Sequence, residues 1–144
     1  MKTVMILVLI AIILFVGFNV SIPLVNDLSA KNVEEHLLEI TPPDNTQIVE
    51  SLSKAGKLVG NGNGMQYFGA ILIRSEKTLD ELSAYYSQKL ADVVVKEQNT
   101  QKIQCVEHGG LSFKTQITAT EDYYIVYLFG SGNALFSELD IRGH

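Results

Sequence analysis

Met65-Gln66-Tyr67-Phe68-Gly69-Ala70-Ile71-Leu72-Ile73-Arg74 carries apolar side chains on both alternating faces. Met65, Tyr67, Ile71 and Ile73 fall on one side of an extended chain, and Phe68, Ala70 and Leu72 on the other. A strand with no polar side belongs in the middle of a sheet whose two faces are both covered. Ahead of it stands Gly60-Asn61-Gly62-Asn63-Gly64, strong turn chemistry. Residues 47–59 are therefore read as the partner strand of a hairpin. Ile48, Leu52, Ala55 and Val59 would also fit a helix, but Ile48-Val49, Ser51, Ser53 and Gly56 favour an extended chain.

Beyond the strand the hydrophobic period changes twice. Thr78 and Glu81 have the spacing of a capping box, and Leu79, Leu82, Tyr86 and Leu90 continue as one helical stripe, widened by Tyr85. Period-two segments then follow at residues 92–97, 102–107, 111–118 and 123–129, separated by polar turns that include His108-Gly109-Gly110 and Thr120-Glu121-Asp122. The last is again apolar on both sides. From Gly130-Ser131-Gly132 the tail is expected to cap a sheet edge with a short helix around residues 134–139. The order β-β-α-β-β-β-β predicts an α+β fold, an antiparallel meander with a helix packed on one face.

A single membrane-spanning helix is predicted ahead of this domain. Residues 4–18 are an unbroken apolar or glycine run, and apolar character continues to Val25, interrupted only by Asn19, Ser21 and Pro23. A bilayer core about 30 Å thick needs roughly twenty helical residues. Pro23 is expected in the last turn, where a missing backbone bond costs least. A retained anchor is favoured over a cleaved signal, because no pair of small residues follows the run before Leu28-Ser29-Ala30. Lys2 ahead of the run and Asp27 as the first charge after it point the amino terminus to the cytoplasm and the domain outside. The division expected is an anchor over residues 1–26, a neck helix with a Pro-Pro linker over 27–43, and an extracytoplasmic domain over 44–144. Asn32 and Glu35 fit a cap at its start, with Val33, Leu37 and Ile40 as its stripe, and two readings stay open: the helix continues upward from the span or stands as a short neck.

Eleven basic residues include Lys2; the ten beyond it face sixteen acidic ones, a net of minus six. Such a surface does not grip nucleic acid or anionic lipid headgroups. Cys105 is the only cysteine, which excludes an internal disulfide, and it reads as a small core residue.

The run Pro43-Asp44-Asn45-Thr46-Gln47-Ile48-Val49, then Arg74-Ser75, then Leu79-Asp80-Glu81-Leu82 with Tyr85-Tyr86, resembles small uncharacterised membrane-anchored α+β domains of bacterial envelope proteins. The likeness covers residues 42–129. It implies the same strand, strand, helix and meander order, and no agreed activity.

Chemistry is sparse. The glycine loop precedes a strand, so it lacks the helix amino terminus of a phosphate cradle. His36 and Glu39 share a helical face, yet nothing supplies the third and fourth ligands of a metal site. Cys105 and His108, three apart on a predicted strand, would point to opposite faces. No catalytic residue, metal or cofactor is assigned. The contacts offered to a ligand are Asn61, Asn63, Tyr85, Tyr86 and His108. The reading that follows is an envelope protein, anchored by its amino-terminal helix, whose domain is a non-catalytic module that binds a protein partner, such as another envelope protein, or an envelope component. An accessory subunit of a membrane complex is the alternative, and a cell-envelope enzyme the weakest of the three.

Overall fold

The computed structural model describes residues 2–130 and 134–144. Its sheet is built around the doubly apolar strand. β1 (Thr46–Gly56) and β2 (Gln66–Ser75) form the expected hairpin, and β2 is central. After α2 (Leu79–Ser87) come β3 (Val94–Glu97) and β4 (Tyr123–Gly130). The order across the sheet is β1-β2-β4-β3, antiparallel throughout. β4, the second strand apolar on both sides, is thus the other central one, inserted between β2 and β3. The topology is not a meander, because the β2–α2–β3 crossover leaves a gap that β4 fills.

β1 contains one irregularity. Ile48 pairs with Ile73 and Glu50 with Leu72, so Val49 is an extra residue, a β-bulge. Ile48 packs on one face of the sheet and Val49 on the other. Glu50 then turns to the loop side, where its carboxylate accepts from the Lys114 and Thr115 amides and the Thr115 hydroxyl at 2.8–3.0 Å. Burial raises its pKa, but those hydrogen bonds outweigh it and hold the group below the usual carboxylate range.

The sheet face carrying Phe68, Ala70, Leu72, Ile125 and Tyr127 is covered by irregular chain, anchored by Ile103, Val106 and Phe113. Residues 102–107 and 111–118 were expected as strands; the structure joins them by a single bridge, Lys102 with Ser112, and extends no ladder. The reason is burial. Ile103, Val106 and Phe113 pack down onto an existing sheet, and Gly109 and Gly110, at φ +89° and +58°, turn the chain between the two segments. The sheet therefore has four strands.

The opposite face, with Tyr67, Ile71, Ile73, Tyr124, Val126 and Leu128, is covered by helices. α2 begins at the predicted capping box: the Glu81 amide donates to the Thr78 hydroxyl and Glu81 accepts from the Thr78 amide at 2.9 Å. Leu82 and Tyr86 enter the core. The larger cover is α1 (Lys2–Leu38), one apolar-led helix of 37 residues, long enough to cross a membrane. Of the two neck readings the structure has the continuous one: the helix runs on from the apolar segment with no new start at Asn32, so Pro23 lies inside α1 rather than in its last turn. An interior proline costs about 3 kcal/mol of helix stability. The helix persists because Ile22, Asn26, Ala30, Val33, Glu34 and Leu37 form one buried stripe against the domain. Residues 2–20, by contrast, are exposed throughout. The expected short helix in the tail is two 3₁₀ turns, Ser137–Leu139 and Ile141–Gly143; Ser131 and Gly132 lie outside the described residues.

α1 meets the sheet backbone to backbone. A Cβ placed on Gly69 would lie 2.5 Å from the Glu34 nitrogen and 2.7 Å from the Val33 carbonyl carbon, and one on Gly130 would lie 2.6 Å from Val33 Cγ2. Only hydrogen fits. Gly69→Ala is expected to push α1 off β2 and cost about 1–3 kcal/mol, read as a fall of several degrees in the thermal unfolding midpoint in detergent. Gly62→Ala, with no heavy atom within 4 Å of the new Cβ, should leave it unchanged.

Candidate functional site

The structure brings some of the predicted contact residues together and leaves others apart. Asn61 and Asn63 are exposed in the β1–β2 loop. His108 joins that loop, its Nε2 lying 3.0 Å from the Gly60 carbonyl, while the Gly60 amide donates to Glu107 at 2.9 Å. Tyr85 sits elsewhere, on α2, where its hydroxyl donates to the Thr41 carbonyl at 2.7 Å beyond the end of α1. Tyr86 is fully buried; its hydroxyl has no hydrogen-bond partner among the described residues, and burial, then the neighbouring Tyr85, pushes its pKa up to about 12. Cys105 is half-buried beneath the sheet, and burial raises its thiol. Among the described residues no three His, Cys, Asp or Glu side chains are grouped to hold a metal ion.

Two features stand out that the sequence reading did not pick. One is a groove of about 500 Å³ between α1 and the α2–β3 turn. Asn32 and His36 of α1, Leu90 and Asp92 of the turn, and Leu128 and Phe129 of β4 line it. Asp92, in the turn between α2 and β3, takes the left-handed φ of +60°.

The other is a polar cluster at the point where α1 enters the domain. The Tyr67 hydroxyl donates to Asn26 Oδ1 at 2.7 Å, and Asn26 Nδ2 donates to Asp140 Oδ2 at 2.9 Å. Arg142 then grips Asp140 through Nε and Nη2, Asp27 through Nη1 at 2.8 Å, and the Pro23 carbonyl through Nη2 at 3.1 Å. Asn26 and Asp140 are almost wholly buried. The Arg142 guanidinium holds the Asp140 carboxyl down to about pKa 2 against its burial, with Asn26 helping; the Arg142 pKa is raised in return, by Asp140 first. A second buried carboxylate, Glu34, faces β1. Burial raises it, yet hydrogen bonds from Ser51, Lys31 and Ser53 prevail and hold it below the usual range.

The cluster thus pins the carboxyl-terminal turns to both α1 and β2. The Gly64 amide donates to the Gly143 carbonyl at 2.7 Å and the Lys57 amide to the Arg142 carbonyl at 2.8 Å, which ties the glycine loop to the same end. This arrangement clamps; it offers no nucleophile with a base beside it. Comparison with known family models, with curated proteins and with solved structures finds no match to this chain.

Since the folded Asp140 pKa lies below its ordinary value, its contribution to stability is present above about pH 4 and disappears as pH falls towards 2. The expected loss is on the order of 2 kcal/mol. Thermal unfolding in detergent should show the midpoint falling across that window, and Asp140→Asn should be less stable at neutral pH with a flatter acid profile. An unchanged acid profile in Asp140→Asn would show that the clamp carries no such stability.

Proposed function

We propose that the chain is a single-pass membrane protein whose α+β domain is a non-catalytic interaction module held directly against the extracytoplasmic face. One observation carries this reading. A single helix is bare and apolar through residue 20 and clamped to the domain from Ile22 onwards. Residues 3–20 extend about 27 Å as helix, close to the hydrocarbon thickness of a bilayer. Bare apolar surface on that scale is stable in lipid and not in water. Lys2 ahead of the run supports a cytoplasmic amino terminus. The groove beside α1 supports a binding role, since it is partly apolar with a few polar groups at its rim.

Alkaline carbonate washing is expected to leave the wild-type chain in the membrane pellet, while Ile10→Lys with Ile13→Lys moves it to the supernatant. Release of the wild type would overturn the anchor. A photo-crosslinking residue in place of Asn32, exposed on the groove, is expected to give one discrete adduct in intact cells. A pattern no different from that at Glu76, exposed on the far side of the sheet's crossover, would overturn the interaction role.

A further inference from the structure

The carboxyl-terminal turns expose large aliphatic side chains in unusual density. Leu135 is 70% exposed, Leu139 56% and Ile141 84%, all within seven residues. Small domains do not present such a cluster to water without a use for it. Its position identifies the use. Phe136, between them in sequence, packs edge-on against Phe18 of α1 with ring centroids 5.4 Å apart. Phe18 belongs to the bare apolar part of the helix. Phe136 reaches it at φ +72°, a left-handed conformation that side chains other than glycine rarely adopt, so the contact is held against local backbone strain. At the other end of the same segment, Arg142 is fixed to Pro23 and Asp27. The tail therefore lies along α1 from the level of Phe18 to that of Asp27, a rise of about 13 Å.

We propose that this tail is a second membrane contact, with Leu135, Leu139 and Ile141 seated in the acyl–headgroup boundary of the bilayer that α1 crosses. The inference rests on the anchor reading above. A bilayer that surrounds Phe18 necessarily reaches Phe136, which touches it, and apolar chains flanking that contact enter the boundary rather than bridge to a second copy. Amphipathic segments of this kind sit about 5–10 Å into the interface. The domain is net negative, so seating depends on apolar burial and not on lipid charge. The consequence is orientation: a helix alone fixes where the domain is, and a helix with a seated tail fixes which side of it faces the membrane.

The chain contains no tryptophan, which permits single-tryptophan reporters. Leu139→Trp and Ile141→Trp report on the tail, Leu14→Trp on the span and Glu76→Trp on the opposite end of the domain. All four are exposed sites that a tryptophan does not crowd. In bilayers of neutral phosphatidylcholine, replacing the lipid with its chain-brominated form should quench Leu14→Trp strongly. It should reduce Leu139→Trp and Ile141→Trp emission by roughly twofold, as expected near the boundary, and leave Glu76→Trp unaffected. Quenching at Leu14 with none at the two tail sites would overturn the seated tail and spare the anchor. Absence of quenching at Leu14 would overturn both. A blue-shifted tail reporter that bromine does not quench would mean that a second copy covers the tail, and quenching that needs anionic lipid would mean charge-driven adsorption; either result also overturns the proposal.

Discussion

The second half of α1 rests on β2 with no side chain between the two backbones at Gly69, and with only hydrogen at Gly130 of β4. The rest of the structure depends on that contact. One face of the central strands carries Tyr67, Ile71, Ile73, Tyr124, Val126 and Leu128, and α2, at nine residues, is too short to cover them alone. Bringing α1 this close lets Ala30, Val33 and Leu37 reach the sheet and complete the core. Glu34, carried to the interface by the same approach, is tolerated there because Lys31 and two serines of β1 satisfy it. A larger residue at position 69 would push the helix away from this face and loosen its packing.

This docking has a mechanical consequence. A tether ordinarily joins a domain through a flexible linker, which leaves the domain free to turn. Here the apolar segment and the core-forming segment are turns of one helix, and Pro23 between them is bridged by Arg142 from the tail. The domain is thus a rigid extension of its own apolar helix. The glycine loop, the tail and the His108 turn share the end nearest the bare helix, while Tyr85, Thr41 and the Arg74–Glu121 pair lie at the other.

Much of the fold was legible because it is written in local pattern. Doubly apolar runs marked the two central strands, the spacing of Thr78 and Glu81 marked the start of α2, and glycine-rich chain marked the hairpin. What stayed illegible is tertiary. Residues 102–118 alternate like strands, but their apolar members are placed to cover a sheet, and coverage gives the same alternation without a ladder. The stripe Ile22, Asn26, Ala30, Val33, Leu37 was legible only at its far end, where Val33 and Leu37 fit a helical period; Ile22 is hidden in the apolar run and Asn26 is polar. Asn26 reads as a residue just outside a membrane until Tyr67 and Asp140 are seen beside it. Nothing local to Asp140 or Arg142 announces partners more than a hundred residues away.

The cluster at the join divides the work of holding the tail between two kinds of force. Burial of the exposed Leu135, Leu139 and Ile141 in a bilayer, as proposed above, would be non-directional: it would favour any pose that removes them from water. The polar groups are strict. Arg142 reaches Asp140, Asp27 and the Pro23 carbonyl together in one register of tail against helix, and Asn26 bonds Tyr67 and Asp140 in one position of helix against sheet. A slip of one residue would leave a buried carboxylate or amide unpaired, which costs far more than the pair contributes when intact. The cluster therefore acts through specificity more than through net stability, and it selects a single angle between the domain and the axis of α1.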